Sequence, residues 1–237
     1  MGFYGKIKEN GISVSDKYAG TEKYFYLTPQ GLTLLNALKP MIPKYAKGKL
    51  LDAGAGRLAY KYLLEPCCNR YESIDISDRL SRVDFVGDIQ NMQLDGGQYD
   101  TVFCSQVLEH VPEPQKALSE FQRILKDGGK LILTVPHLSY LHNEPHDYFR
   151  YTKHGLRFML EKSGFKIIIL EPAGGIISFL GHLPSTIFVN SLYNIPLLHP
   201  LSMMINRLYV KLIAWLDENL EKQKVYALNY VVVAQKP

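Results

Sequence analysis

The stretch Leu50-Leu51-Asp52-Ala53-Gly54-Ala55-Gly56-Arg57 places a short apolar run directly before a turn that contains two glycines. Glycine adopts positive φ at little steric cost and lets a ligand approach the backbone closely. The pattern predicts a buried strand that ends at Asp52, a tight turn, and a helix that begins near Arg57. In an open sheet of parallel strands, a junction of this kind is where nucleotides bind.

Outward from this turn, strand and helix patterns alternate from Lys49 to about Pro172. Short apolar or β-branched runs bounded by Gly, Asp or Pro predict strands at residues 49–53, 71–76, 83–86, 101–104, 130–135 and 165–170. The clearest helix patterns are Pro114–Leu125, stopped by Gly128-Gly129, and Thr152–Lys162. The alternation predicts an α/β fold with a largely parallel sheet and helices on both faces. A β pattern at 226–234 supplies a last strand.

Two further acids end predicted strands. Asp75 lies 21 residues after Gly54, where a carboxylate can accept hydrogen bonds from both ribose hydroxyls of a nucleoside. Asp88 ends the third strand, where it can accept an adenine amino group while Ile89 packs on the ring. Structural interpretations stay open for two of the acids, since Asp52 would also serve as a helix cap and Asp88 as a turn former.

A dinucleotide site usually has a third glycine, and Leu58 stands in its place here. Asp52–Gly56 and Asp75, with the strings Val107-Leu108-Glu109-His110-Val111 and Leu125-Lys126-Asp127-Gly128-Gly129, resemble the class I S-adenosylmethionine-dependent methyltransferases. The resemblance is to the type 11 branch, which includes quinone-biosynthesis O-methyltransferases. It covers about residues 48–172 and the last strand, and it implies a Rossmann-like, doubly wound sheet of seven strands with the last strand antiparallel.

The resemblance also implies S-adenosylmethionine as the cofactor. The residues that would bind it, matched position by position, are Asp52, Gly54, Gly56, Asp75, Ile76, Asp88, Ile89 and Ser105. The first three would line the methionine and ribose end. The next four would hold the ribose and the adenine, and Ser105 would face the sulfonium.

The segment after the fifth strand, Pro136–Tyr151, holds three of the seven histidines. A hydroxyl acceptor must lose its proton to a base with a pKa near the working pH. We therefore predict His146 or His137 as the catalytic base. In the alternative interpretation, His146 and Asp147 form a polar network with Arg150 that only anchors the loop.

No metal is predicted. His142, His146 and Asp147 could supply ligands, but their spacing does not match a common metal site. Glu109 and His110 follow the fourth strand, and the sequence leaves them either as loop anchors or as residues that contact the active site.

The composition, with 46% hydrophobic and 21% charged residues, excludes a disordered or fibrous protein. Three cysteines, two of them adjacent, do not suggest a disulfide framework and favour a reducing compartment. Charged residues interrupt the first thirty positions, so no signal peptide is expected. These features predict a cytoplasmic protein, with membrane association left open.

The chain divides into a helical arm at 1–48 and a domain at 49–237 that the resemblance identifies as a methyltransferase domain, with an apolar insertion at 176–224. Residues 1–49 carry eight lysines against three acids, whereas the remainder has a net charge of −1. A short helix pattern in the arm, Gln30–Leu38, is followed by Pro40 and Pro43, which should end it.

The insertion has no Asp, Glu, Lys or Arg at 172–206, a run of 35 positions, and prolines interrupt it. No uninterrupted apolar run reaches the roughly 20 residues of a spanning helix. Three interpretations stay open: an extra core layer or homodimer interface, a lid over an apolar substrate, or an element on a membrane surface with the basic arm as its electrostatic partner. An amphipathic helix is expected at 203–220.

The resemblance implies methyl transfer from S-adenosylmethionine, and with the apolar insertion we expect transfer to an oxygen atom of a small or amphipathic, lipid-like acceptor. The alternatives are a non-catalytic nucleoside-binding scaffold, an NAD-dependent oxidoreductase and an RNA methyltransferase. Nucleic acid is disfavoured because neither an Asn-Pro-Pro-Tyr motif nor a Pro-Cys nucleophile occurs. The basic arm keeps RNA as an alternative.

Overall fold

The computed structural model describes residues 2–78 and 82–237, and within them seven strands form one sheet. The strands are β1 Lys49–Ala53, β2 Arg70–Asp75, β3 Phe85–Val86, β4 Tyr99–Ser105, β5 Leu125–Pro136, β6 Lys166–Ala173 and β7 Asn229–Gln235. Their order is β3-β2-β1-β4-β5-β7-β6. The strands from β3 to β5 pair in parallel, and β7 runs antiparallel to β5. The predicted fold is confirmed.

Eight α-helices accompany the sheet in the described ranges. They are α1 Phe3–Tyr18, α2 Glu22–Phe25, α3 Pro29–Tyr45, α4 Lys61–Leu64, α5 Pro114–Ile124, α6 Lys153–Lys162, α7 Ile176–Leu192 and α8 Leu198–Leu220. Helices α5 and α6 lie within one residue of their predicted bounds. Thr152 caps α6, because its Oγ1 accepts the N–H of Gly155 at 3.1 Å. Helix α8 begins five residues before its predicted start, since Pro200 occupies the first turn, where proline is tolerated.

The central strands are buried because helices cover an α/β sheet on both faces, and they are accordingly apolar at successive positions. Leu50 and Leu51 on β1, Val102 on β4 and Val232 on β7 are fully buried. Parallel pairing brings the carboxyl ends of β1, β2 and β4 to one edge of the sheet. The candidate site residues follow these strand ends.

Helix α3 continues through the two prolines that should have ended it. Pro40 and Pro43 both lie inside the helix, where each removes one backbone hydrogen bond. Leu34, Leu38 and Ile42 form a buried face at helical spacing. Burying each such side chain contributes roughly 2 kcal/mol, which offsets the cost of the two prolines.

The helix expected near Arg57 does not begin there. Turns occupy residues 56–60, and α4 has only four residues before a 3₁₀ turn at Glu65–Cys67. Leu58, at the position of the missing third glycine, has φ of 56°, in the left-handed region that ends a helix rather than starting one. No long helix therefore follows the glycine turn.

The chain divides into two compact units. One contains the residues up to Ala37 together with Ala173–Leu228, and the other contains Leu38–Pro172 and Asn229–Pro237. In the first unit, Val14, Leu27 and Val189 form a buried cluster that joins α1 to α7. The second unit contains the central strands. No helix in the described part of the chain has both the length and the apolarity to cross a bilayer.

Candidate active site

Asp52 lies one residue before the end of β1 and is buried. Tyr71 on β2 donates its hydroxyl hydrogen to Asp52 Oδ2 at 2.7 Å. Burial raises the pKa of Asp52 to about 7, so this carboxyl titrates near neutral pH. The N-cap of α4 is Tyr60. Asp52 is thus held by a tyrosine and does not serve as a helix cap.

Gly54 is required by packing. Its N–H and that of Ala55 both donate to the Ile74 carbonyl, at 2.9 and 3.0 Å. Its φ is 75°, and a Cβ at this position would lie 2.5 Å from both methyl groups of Val107. This glycine lets β1 turn tightly against the segment that follows β4.

Gly56 differs from Gly54, because the space beside it is open. Its φ is 49°, and a Cβ would meet no atom nearer than 3.9 Å. Its N–H donates to Asp75 Oδ2 at 2.8 Å. Of the two glycines, this is the one where a ligand can approach the backbone.

Asp75 ends β2 beside the glycine turn. Its second carboxylate oxygen, Oδ1, accepts the backbone N–H of Ser77 at 3.2 Å. The next side chain, Ile76, is 73% exposed, which is unusual for an isoleucine at the end of a central strand. An acceptor for hydroxyl groups and an uncovered apolar side chain therefore follow one another at the edge of the sheet.

The remaining predicted cofactor residues make contacts within the protein. Asp88 accepts the backbone N–H of Gln90 at Oδ1, 2.8 Å away, and the Gln90 side-chain amide at Oδ2, 2.9 Å away. Asp88 is thus turn-forming, as one interpretation of the sequence had it. Ile89 is buried, and Ser105 Oγ lies 2.7 Å from Thr134 Oγ1. Contact of these three residues with a cofactor stays a prediction.

Glu109 is a buried acid in the 3₁₀ turn Leu108–His110 after β4. Neither of its carboxylate oxygens has a hydrogen-bond partner in the described part of the chain. Burial raises its pKa to about 8. The His110 Nε2 atom lies 3.7 Å from Glu109 Oε1. A buried carboxyl without hydrogen bonds is costly unless it holds a proton or faces a cation.

Two histidines complete a cluster around this acid. His110 donates from Nδ1 to the His146 carbonyl at 2.6 Å, and His142 donates from Nδ1 to the Tyr140 carbonyl at 3.1 Å. Glu109, His110 and His142 each offer one ligand atom within 4.8 Å of the others. Metal-binding histidines commonly donate their other ring N–H to a carbonyl in this way. The three residues could therefore hold a divalent ion that accepts imidazole and carboxylate ligands, such as Zn²⁺.

This cluster is not the metal set considered from the sequence, which combined His142 with His146 and Asp147. Asp147 is occupied by Arg150, whose Nη1 and Nη2 donate to its two oxygens at 2.6 and 2.8 Å. The guanidinium holds the pKa of Asp147 well below its usual range.

The loop from 137 to 151 is anchored on the turn that holds Glu109. The backbone N–H groups of Tyr148 and Phe149 donate to the Glu109 carbonyl at 2.9 and 3.3 Å. Tyr151 donates its hydroxyl hydrogen to the Leu108 carbonyl at 2.9 Å. These bonds anchor the loop. Of the network expected as one alternative, the Asp147–Arg150 pair is present, whereas the His146 ring is hydrogen-bonded to Tyr148.

The two histidines predicted as the base lie at different places in this loop. His146 is exposed, with Nδ1 3.1 Å from the Tyr148 hydroxyl oxygen. His137 is half-buried, and its ring centroid lies 5.6 Å from that of Tyr230. A catalytic role for either stays a prediction.

Residues 51–133 match the family model described as a methyltransferase domain. This match and the sheet order support a class I S-adenosylmethionine-dependent methyltransferase domain. A ubiquinone biosynthesis O-methyltransferase from Xanthomonas euvesicatoria pv. vesicatoria is 26% identical over 141 residues, which are 51% of this chain. The chain spans 59% of the length of that relative.

Solved structures confirm the fold of the methyltransferase domain. The crystal structure of the [4+2]-cyclase SpnF has a TM-score of 0.58 and 18% identity, covering 88% of this chain and 80% of that one. A SAM-dependent methyltransferase from Archaeoglobus fulgidus has a TM-score of 0.55 and 18% identity, covering 88% and 95%. Because one of these neighbours is described as a cyclase, the fold alone does not determine the reaction.

The residues of the methyltransferase domain fit its cofactor at the nucleoside end. The open space at Gly56 is one that a Cβ would fill, the Asp75 carboxylate can accept ribose hydroxyls, and the exposed Ile76 side chain can cover an adenine face. Sequence reasoning missed Tyr71 as the partner of Asp52. Parallel register places Tyr71 opposite Leu50, and a prediction would have needed that register.

Proposed function

We propose that this protein transfers a methyl group from S-adenosylmethionine to a hydroxyl oxygen of a small amphipathic molecule. The observation that carries the proposal is the pairing of buried Glu109 with His110 at the carboxyl end of β4. Since β2 is parallel to β1 and β1 to β4, this pair follows the same sheet edge as Asp75.

His110 has the properties of a general base. Its Nδ1–H is used by the His146 carbonyl, so the lone pair of the neutral ring is on Nε2. Burial lowers the pKa of His110, which keeps the imidazole neutral and able to accept a proton at neutral pH. Burial raises the pKa of Glu109 to about 8, so this carboxyl, 3.7 Å from Nε2, is uncharged at neutral pH and does not favour a charged ring before catalysis. When bound, the cofactor supplies a methyl group on a positively charged sulfur, and a base is needed for an oxygen acceptor.

An amphipathic acceptor is supported by the loop at this edge. Tyr140, Leu141, Tyr148 and Phe149 are all exposed. Four large apolar side chains in one exposed loop form a surface that an apolar ligand can cover. The relatives described as ubiquinone biosynthesis O-methyltransferases favour an oxygen atom and an acceptor of this kind.

The proposal is tested with the full chain and methyl-labelled S-adenosylmethionine. The acceptors are a phenol with an alkyl tail, its amine analogue and bulk tRNA. We expect label in the organic extract from the phenol and none from the amine or the RNA. Label in RNA would favour the RNA methyltransferase alternative. Cofactor binding without turnover of any acceptor would favour the nucleoside-binding scaffold, and binding of NAD instead would favour the oxidoreductase.

Variants separate cofactor binding from catalysis. Asp75→Ala should weaken S-adenosylmethionine binding at least tenfold by calorimetry. Asp127→Ala is the matched control, because Asp127 is exposed near the opposite end of β5 and pairs with Lys236 at 3.6 Å. His110→Asn should keep the cofactor Kd and lower kcat by about 100-fold or more, the usual contribution of a general base. The predictions for His146 and His137 are tested with the same substitution, and a larger kcat loss at either would contradict the role proposed for His110.

A further inference from the structure

The α7–α8 hairpin, residues 176–220, buries small and polar side chains. The buried positions are Ser178, Gly181, Ser185, Val189 and Asn190 on α7, and His199, Ser202, Asn206, Val210, Ala214 and Asp217 on α8. Only three of these eleven residues are aliphatic. Several of the polar groups are hydrogen-bonded inside: Ser185 donates to Asn206 Oδ1 at 2.8 Å, and Asn206 donates to the Leu27 carbonyl at 3.1 Å. Ser178 Oγ and His199 Nδ1 are buried without a hydrogen-bond partner among the described residues.

The outward face of the same hairpin is apolar. On α8 the exposed residues Leu198, Leu201, Ile205, Leu208, Leu212 and Trp215 follow one another at alternating spacings of three and four. On α7 the exposed Leu180, Leu183 and Ile187 are spaced in the same way. Residues three or four apart share one face of a helix, so each helix presents a continuous apolar stripe. A helix in contact with water normally has the opposite arrangement.

The central part of the hairpin carries positive charge only. Between Glu171 and Asp217 the chain has no acidic residue, and its only Lys or Arg residues are Arg207 and Lys211 on α8. Both cations lie over the ring of Tyr26, at 4.6 and 5.6 Å from its centroid. Cations near an anionic membrane surface strengthen binding to it.

We propose that the outward face of the α7–α8 hairpin docks on an anionic lipid bilayer, with both helices lying in the interface. The exposed Trp215 is the one tryptophan of the chain, and indole rings favour this interface. A polar, hydrogen-bonded interior with small residues and an apolar exterior is the distribution that lipid contact stabilises. This surface and its test do not depend on the methyl-transfer reaction.

A second copy of the chain is the competing occupant, because alternating spacings of three and four also form coiled-coil seams. Two features favour lipid. The apolar surface extends over two helices, with Leu183 on α7 as exposed as Leu212 on α8. The flanking charges Arg207 and Lys211 have the same sign, so the central part of two copies of this face would bring like charges together.

The test is co-sedimentation of the full chain with phosphatidylglycerol-containing vesicles and with pure phosphatidylcholine vesicles, together with Trp215 fluorescence. Leu208→Asp places a charge on the face at a residue that is 65% exposed. Phe158→Asp on α6 is the matched control, because Phe158 is 64% exposed. We expect binding to the anionic vesicles with a blue shift of the Trp215 emission, at least a tenfold loss in Leu208→Asp, and no loss in Phe158→Asp.

The double variant Arg207→Gln/Lys211→Gln should bind anionic vesicles more weakly, and added salt should weaken wild-type binding. Circular dichroism and S-adenosylmethionine binding should be unchanged in all variants. Three outcomes would overturn the proposal: no binding to either vesicle, equal loss in the control, or a dimer in sedimentation velocity that Leu208→Asp dissociates while vesicles stay unbound.

Discussion

The central strands and the α7–α8 hairpin distribute the same kinds of residue in opposite ways. In the sheet, Val102 and Val232 are fully buried, as expected of strands covered on both faces. In the hairpin, Ser185 and Asn206 are buried while Leu208 is exposed. The sheet completes its hydrophobic core within this chain. The hairpin instead buries polar side chains and leaves its apolar side chains exposed. This is the surface that we propose a lipid bilayer covers.

The largest expected effect comes from breaking the polar interior of the hairpin at Asp217. Its carboxylate accepts the N–H groups of Gly175 and Ser178 at 2.7 and 3.0 Å, and Lys224 Nζ at 2.8 Å. Asp217→Asn removes the charge and leaves Lys224, which is largely buried, without it. We expect the free energy of unfolding to fall by about 4 kcal/mol, the usual effect of breaking a buried ion pair.

Urea denaturation followed by helical circular dichroism measures this loss. The control is Glu218→Gln, because Glu218 is the next residue and is exposed. Its effect should stay within about 0.5 kcal/mol. Equal effects of the two substitutions would mean that hydrogen bonds to Asp217 do not hold the start of α7.

The next largest effect distinguishes the two glycines of the β1 turn. Gly54→Ala adds a Cβ 2.5 Å from the Val107 methyl groups at a φ of 75°. We expect a loss of about 3 kcal/mol from crowding and from the left-handed backbone. Gly97→Ala is the control, with a φ of 65° and no atom within 4 Å of its Cβ. It should lose only about 1 kcal/mol, the backbone contribution.

Gly56→Ala completes this comparison with the opposite result. Its φ is 49° and its surroundings are open, so stability should fall about as little as in Gly97→Ala. The S-adenosylmethionine Kd should rise, because the added methyl group occupies the space where the ligand approaches. Thermal unfolding and calorimetry separate the two glycines, and unchanged cofactor binding in Gly56→Ala would show that the ligand lies elsewhere.

How far the sequence predicts this molecule depends on how local each feature is. The strand, the glycine turn and Asp75 are contiguous patterns, and the structure has them at the expected places. The sequence does not distinguish Gly54, which packs against Val107, from Gly56, which has open space beside it. The difference depends on Val107, which is remote from both glycines in sequence. The sequence predicted an amphipathic helix at 203–220. Periodicity alone would bury the apolar face with Leu208, whereas the structure buries the polar face with Asn206. That outcome depends on bonds to Leu27, which pattern analysis does not reach.

A smaller effect tests the buried acid after β4 through pH. The Glu109 carboxyl keeps its proton in the folded protein up to about pH 8, whereas its ordinary pKa is 4.5. The unfolded chain therefore releases this proton first, and the stabilisation is full below pH 4.5 and declines as the pH rises towards 8. Between about pH 6 and pH 7.5 the decline should be about 2 kcal/mol, at roughly 1.4 kcal/mol for each pH unit.

Urea denaturation at several pH values checks this slope. Glu109→Gln should flatten it, leaving the part that comes from Asp52, whose pKa of about 7 acts in the same direction. The matched control is Glu113→Gln, a substitution at an exposed acid close by in the chain. Parallel curves for wild type and Glu109→Gln would mean that Glu109 is ionised in the folded protein below pH 6.

The smallest expected effect, and the sharpest test of what Glu109 faces, is metal binding. Glu109, His110 and His142 place their ligand atoms within 4.8 Å of one another, and both histidines direct Nδ1 to a carbonyl. We expect Co²⁺ to bind with a visible absorption band and Zn²⁺ to displace it. Either ion takes the Nε2 lone pair of His110 and should therefore inhibit the proposed base. At ten times its Kd, Zn²⁺ should stabilise the folded protein by about 1.4 kcal/mol. His142→Asn should abolish both signals, and His154→Asn, at an exposed histidine on α6, should leave them intact. If Co²⁺ and Zn²⁺ give no signal in wild type, as in His142→Asn, the buried Glu109 carboxyl is neutralised by a proton. The pH dependence of stability is then the only effect expected from its burial.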